Sequence, residues 1–136
     1  MFSFQHQIRV RYAETDQMGY VYYGNYASYY EEARTEMLRS TGLSYKELEE
    51  MGVMLPVVEL LCNFIKPGKY DDLITINIYI RQKPSIRIKF EYELSNQDGE
   101  LLNTGSTQLV FVDMIKNRPC RPPKIFQEKM APYFGE

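Results

Sequence analysis

The stretch Asn25-Tyr26-Ala27-Ser28-Tyr29-Tyr30-Glu31-Glu32-Ala33-Arg34-Thr35-Glu36-Met37-Leu38-Arg39 decides the fold. Tyr26, Tyr29, Tyr30, Ala33 and Met37 recur at spacings of three and four, while Glu31, Glu32, Arg34, Glu36 and Arg39 take the other side. This pattern predicts one long amphipathic helix, with Asn25 as its N-cap and Gly42 as its C-terminal stop. The apolar stripe is rich in tyrosine and has to bury against another layer.

Outward from this helix the chain alternates. Upstream, Phe4, His6, Ile8, Val10 and Tyr12 share one face, and Gln5, Gln7, Arg9 and Arg11 the other, which predicts a half-buried strand. A polar stretch from Ala13 to Gly24 joins it to the helix. Downstream, Ser44 and Glu47 have capping-box spacing and open a short second helix to Met51. Val53 to Ile65 is strand-like, with Pro56 marking an edge or a bulge. Ile74, Ile76, Ile78 and Ile80 alternate with polar neighbours, as do Ile86, Ile88, Phe90, Tyr92 and Leu94. Ser95-Asn96-Gln97-Asp98-Gly99 has the composition of a hairpin turn, and a last strand runs from Glu100 to Asp113. The tail carries Pro119, Pro122 and Pro123 and ends in a helical turn near Phe126 to Met130. Strands joined by tight turns make an antiparallel sheet, so a single α+β domain over residues 1–136 is expected.

Composition narrows the function. The chain has 136 residues, enough for one domain and few for two. Its 16 basic residues against 18 acidic ones leave no surplus for a general nucleic-acid binder. Cys62 and Cys120 form no metal-ligand spacing, and one histidine, His6, is too few for a zinc site. The first residues hold charges among the apolar ones, so neither a secretory signal nor a membrane span is expected. A reduced, cytoplasmic protein is the default expectation.

The run Arg11-Tyr12-Ala13-Glu14-Thr15-Asp16-Gln17-Met18-Gly19-Tyr20-Val21-Tyr22-Tyr23-Gly24-Asn25-Tyr26, continued by Tyr30-Glu31-Glu32-Ala33-Arg34, resembles the hotdog-fold acyl-CoA thioesterases. The branch it resembles includes 4-hydroxybenzoyl-CoA thioesterase and the small thioesterases associated with the Tol-Pal system. Asn63-Phe64-Ile65-Lys66-Pro67-Gly68-Lys69-Tyr70-Asp71-Asp72 is a second matching stretch. Gly105-Ser106-Thr107-Gln108-Leu109-Val110-Phe111-Val112-Asp113 with Arg118-Pro119 is a third. The resemblance implies a five-stranded antiparallel sheet wrapped around one long central helix. It also implies a homodimer with its active site at the interface, often paired again into a tetramer. Many relatives carry histidine where this chain has Tyr23, and tyrosine, with a pKa of about 10, is a poor base at neutral pH.

Thioester hydrolysis needs an activated nucleophile, an oxyanion stabiliser and a pocket for the acyl group. Asp16 is the candidate nucleophile or general base; its structural alternative is a turn-capping aspartate. Gly24 and Asn25, at the helix start, are candidates to offer backbone N–H groups to the carbonyl oxygen. Tyr12 is expected to hydrogen-bond Asp16 or line the pocket, or else to sit in the core. Tyr23 is the candidate donor to the carbonyl, or a packing residue. The spacing of Tyr26, Tyr29 and Tyr30 favours core packing, and His6 is expected to be hydrogen-bonded rather than catalytic. Lys66, Arg87 and Arg118 are the main candidates to meet the phosphates of coenzyme A, with Lys69, Lys89 and Arg121 beside them. No cofactor is expected beyond the coenzyme A of the substrate, and no metal.

The expected function is hydrolysis of an acyl-CoA by Asp16. The alternatives are an acyl-carrier-protein thioesterase and a non-catalytic acyl-CoA-binding protein. A hydroxyacyl dehydratase, which normally uses a histidine, is disfavoured because His6 lies in the wrong segment.

Overall fold

Isoleucines at every second position of Ile74 to Ile80 are fully buried, and this strand anchors the sheet. In a computed structural model, which describes residues 1–136, the strands are β1 (Phe2–Arg9), β2 (Val53–Met54), β3 (Val57–Phe64), β4 (Leu73–Ile80), β5 (Arg87–Ser95), β6 (Leu101–Val110), β7 (Val112–Asp113) and β8 (Arg118–Pro119). Five of them form one antiparallel sheet in the order β1-β4-β5-β6-β3; β2, β7 and β8 form a small second sheet. The helices are α1 (Asn25–Ser40), α2 (Tyr45–Glu50) and α3 (Lys124–Met130). The α+β class and the antiparallel sheet are as expected. No helix is long and apolar enough to cross a membrane.

The tyrosine stripe of α1 lies on the sheet. Tyr30 stacks on Tyr92 of β5, with ring centroids 4.1 Å apart and planes 3° from parallel. Its hydroxyl donates to Asn103 Oδ1 on β6, and Asn103 Nδ2 donates onward to the Asn63 carbonyl at 2.8 Å. Gly105 sits beneath that hydroxyl, where a Cβ would collide with Tyr30. Burial pushes the Tyr30 phenol well up from its ordinary pKa. Each buried side chain of this size contributes about 1.5–3 kcal/mol by leaving water.

Several boundaries differ from expectation. The first strand ends at Arg9, because a 3-10 turn from Tyr12 to Glu14 bends the chain away. Glu14 closes that turn by accepting the Arg11 N–H at 2.8 Å. Tyr12 therefore leaves the inner face. Gly24, not Asn25, is the N-cap of α1; Asn25 is its first residue, and its side-chain amide donates to the Glu14 carbonyl at 2.8 Å. At α2 the Ser44 hydroxyl accepts from Glu47 N–H at 3.2 Å, as capping-box spacing predicts. The Val53 to Ile65 strand is split at Leu55-Pro56, and a bulge follows at Val57. The last long strand breaks at Phe111, whose N–H bonds the Ile86 carbonyl instead.

β3 is one edge of the main sheet and β1 the other. Val57, Val58, Leu60, Leu61 and Phe64 are all exposed, on both of its faces. Exposed apolar side chains on an open edge are what soluble proteins usually blunt with charge or cover.

Candidate active site

The loop from Thr15 to Gly24 is built by backbone pairing. Thr15 Oγ1 donates to the Tyr12 carbonyl at 2.8 Å, Val21 N–H to Gly68 at 2.7 Å, and Tyr22 N–H to Glu14 at 2.9 Å. Within it, Asp16 N–H reaches the Tyr20 carbonyl at 2.7 Å, and Gly19, at φ +80°, turns the chain back. Asp16 Oδ1 accepts two backbone N–H groups, from Met18 at 2.9 Å and Tyr20 at 3.1 Å. The turn-capping alternative is thus realised by one oxygen alone. Oδ2 makes no hydrogen bond to the chain and is free for chemistry.

Next comes the entry to α1. Asn25 N–H is taken by the Tyr22 carbonyl at 2.9 Å, and Tyr26 N–H by Tyr23 at 3.3 Å. Asn25 is therefore not a free donor, contrary to expectation. The N–H groups of Tyr23 and Gly24 have no acceptor in the chain. Gly24 is at φ −64°, an ordinary helical value, so it is not there to permit a left-handed turn. Its lack of a side chain matters instead, since a Cβ would lie 2.8 Å from the Tyr22 ring.

Asp16 and Tyr23 meet at a cleft of about 300 Å³, whose walls include Met18, Tyr26, Phe64 and Lys66. Its lining is mostly apolar, with Asp16 and Lys66 as its charged members, the composition of a small-molecule site. Tyr23 is 67% exposed, with its ring 4.6 Å from that of Tyr22. The neighbouring Tyr23 hydroxyl holds the Tyr22 phenol above its usual pKa. Lys66 is at the cleft and pairs with Glu100 at 2.7 Å.

Other candidates lie elsewhere. Tyr12 is 77% exposed, packs edge-on against Tyr70 and makes no bond to Asp16. Arg87 pairs in register with Val110, at the end of the sheet where β3 begins, whereas the cleft is at Phe64 where β3 ends. Arg118 lies in the small sheet, opposite Asp113, and is not part of the cleft either. Strand register separates these two cations from Asp16 within one chain. His6 Nε2 bonds Glu32 Oε2 at 2.6 Å, away from the cleft, as expected of a hydrogen-bonded histidine.

Arg34 was assigned to the polar side of α1 by its charge, yet it is only 8% exposed. Helical spacing held the signal: position 34 is four residues from both Tyr30 and Leu38, which are buried.

Comparison with known proteins gives a consistent result. The model of the family described as thioesterase superfamily matches residues 18–103. The chain is 33% identical over 121 residues to the acyl-CoA thioester hydrolase YbgC of Escherichia coli, covering 89% of this chain and 90% of that one. It is 31% identical to the chloroplastic acyl-acyl carrier protein thioesterase ATL3 of Arabidopsis thaliana, over 96% of this chain and 68% of that one. Its fold matches the DHNA-CoA thioesterase of Staphylococcus aureus with a TM-score of 0.89 and 34% identity, covering 98% of this chain and 90% of the other.

Proposed function

We propose that this chain, which belongs to the thioesterase superfamily, hydrolyses acyl-CoA thioesters at the Asp16 cleft. One observation carries the choice of residue. Asp16 Oδ1 is fixed by two N–H groups, while Oδ2 is left unbonded beside an apolar cleft. A carboxylate held by one oxygen presents the other in a defined direction without paying for reorganisation during the reaction.

Two routes fit that geometry. In one, Oδ2 attacks the thioester carbon, expels the coenzyme A thiolate and leaves a mixed anhydride that water then opens. In the other, Oδ2 takes a proton from water as the water attacks the same carbon. Both routes place negative charge on the carbonyl oxygen. The unbonded N–H groups of Tyr23 and Gly24 are the donors suited to receive it, and each is worth about 3 kcal/mol when well placed. The Tyr23 hydroxyl is a second source of hydrogen bonding; nothing in it replaces a histidine base. Lys66 is the proposed cation for the phosphates of coenzyme A, supported by its place on the cleft wall.

The functional unit in this proposal is a homodimer formed by antiparallel pairing of two β3 edges, giving one continuous sheet curled around the α1 helices. Support comes from the exposed apolar side chains on both faces of β3. Leu61→Lys, in the middle of that edge, is expected to yield a monomer with little turnover, read by light scattering alongside the assay.

The similarity to ATL3 favours a second reading, in which the acyl group arrives on a carrier protein. Thiol release from short, long and aromatic acyl-CoAs, run beside the matching acyl-carrier proteins, separates the two. Release from at least one acyl-CoA is expected. Release from carrier-bound substrates alone would give the second reading. Tight binding of both without release would reject hydrolysis.

A further inference from the structure

The Glu14 carbonyl oxygen accepts two hydrogen bonds, from Tyr22 N–H at 2.9 Å and from the Asn25 side-chain amide at 2.8 Å. A carbonyl oxygen has two lone pairs, so this acceptor is filled. Tyr22 and Asn25 are the two ends of the turn that enters α1, because Asn25 N–H also returns to the Tyr22 carbonyl at 2.9 Å. Between them stand Tyr23 and Gly24, whose N–H groups have no acceptor in the chain. The turn that carries the two open donors is thus tied at both ends to one oxygen, on the residue two before Asp16.

Main-chain pairing places Asp16 but stops short of that turn. Asp16 N–H bonds the Tyr20 carbonyl at 2.7 Å, Thr15 pairs with Val21, and Tyr22 N–H closes on Glu14, a short antiparallel ladder that ends at Tyr22. Beyond it, the Asn25 amide ties the first residue of α1 back to the ladder. Only the amide nitrogen donates to a carbonyl, so Glu14 also fixes which way that amide points. Four residues on, along the same face of α1, the Tyr29 hydroxyl donates to the Glu14 carboxylate at 3.1 Å. That bond holds the body of the helix and lies past the open donors.

Asn25 does this from outside the cleft. Its side chain is half-buried and forms no part of the cleft wall, so it reaches the reaction only through its neighbours. The effect is large even so, since a shift of about 1 Å in a group that must meet the reacting atoms can cost about 10² in rate.

We infer that Asn25 is a positioning residue: its side-chain amide, through the Glu14 carbonyl, sets where the Tyr23 and Gly24 N–H groups stand relative to the Asp16 carboxylate. This rests on the Asp16 reading and on those N–H groups as the oxyanion donors.

Two variants and one spectrum test it. Asn25→Ala removes the donor. Asn25→Asp keeps the size and sets an acceptor against the Glu14 carbonyl. A carboxylate at the first residue of α1 also suits the positive end of the helix, so Asn25→Asp should hold the wild-type melting temperature. Thiol release at equal folded concentration should show kcat lower by about ten-fold or more in both variants, with KM within about two-fold of wild type. The direct readout is the carbonyl stretch of a bound thioester. The probe is whichever of acetyl-, palmitoyl- and benzoyl-CoA wild type hydrolyses fastest, isotopically labelled at the thioester carbonyl and bound to Asp16→Asn. Infrared difference spectra should place its stretch below that of the free thioester, because the N–H donors polarise the bond. Adding Asn25→Ala should return the stretch most of the way. A residue that served the fold alone would lower the melting temperature and move neither the kcat of folded protein nor the stretch. A kcat within a few-fold of wild type in either folded variant, or a stretch that Asn25→Ala leaves in place, would overturn the inference while leaving hydrolysis by Asp16 standing. A stretch already unshifted in Asp16→Asn would instead reject the N–H donors, and the inference with them.

Discussion

The tyrosines on α1 and those in the loop just before it are the same residue put to opposite uses. Tyr26, Tyr29 and Tyr30 are buried and their hydroxyls are tied: Tyr26 accepts from Gly68 N–H at 3.4 Å, Tyr29 donates to Glu14 at 3.1 Å, and Tyr30 donates to Asn103. Tyr12, Tyr20, Tyr22 and Tyr23 are exposed, and of these Tyr20 and Tyr23 edge the Asp16 cleft. A tyrosine in the first group fixes the helix on the sheet, and through Glu14 it also braces the loop that carries Asp16. A tyrosine in the second group lends apolar wall and an exposed hydroxyl. Stability and activity should therefore separate cleanly between two neighbouring segments.

Gly105→Ala attacks the buried group hardest, since a methyl under Tyr30 forces the ring off Tyr92. A loss of about 2–3 kcal/mol is expected in urea unfolding. Tyr30→Phe keeps the ring and strips Asn103 Oδ1 of its donor, which should cost about 1–2 kcal/mol by the same measurement. Tyr29→Phe removes one bond to Glu14 and should cost about 1 kcal/mol. It should also loosen the loop enough to lower kcat modestly, and so it marks where the two groups meet. Tyr23→Phe tests the exposed group: stability within about 0.5 kcal/mol of wild type, and a fall in kcat of less than about ten-fold. Tyr23→His should keep or raise that rate. If Tyr23→Phe destabilised the protein as much as Tyr30→Phe, the distinction between the two groups would fail.

Much of the frame was legible beforehand. The alternating isoleucines of β4, the tyrosine stripe of α1 and the Pro56 break all depend on local spacing, and local spacing survives into the fold. Pro56 also pointed to an edge, which β3 is. Tyr12 misled because the alternation of residue types continues past Arg9, where the backbone has already turned into a 3-10 bend. Asn25 misled because Gly24, with no side chain to cap, takes the cap position when Tyr22 crowds it. Arg87 was assigned by charge and Arg118 by its Arg-Pro pair after the last strand, but strand register, a long-range property, puts Arg87 at the end of the main sheet away from the cleft and Arg118 in the small sheet. Arg34 was assigned by charge when helical angle was the better guide. Asp16 itself stood out through its resemblance to a family; spacing alone reads it as a turn cap, which half of its carboxylate is.

That divided carboxylate is also the sharpest point of attack. In Asp16→Asn the Met18 and Tyr20 N–H groups orient the amide oxygen at the Oδ1 position, so the turn survives and only Oδ2 becomes an NH₂ group. Thiol release from the best acyl-CoA, measured on wild type and Asp16→Asn at equal folded concentration, isolates that one atom. An unchanged melting temperature with a kcat lower by about 10² or more is the expected result. A folded variant that turns over within a few-fold of wild type would contradict the assignment of the reaction to Asp16.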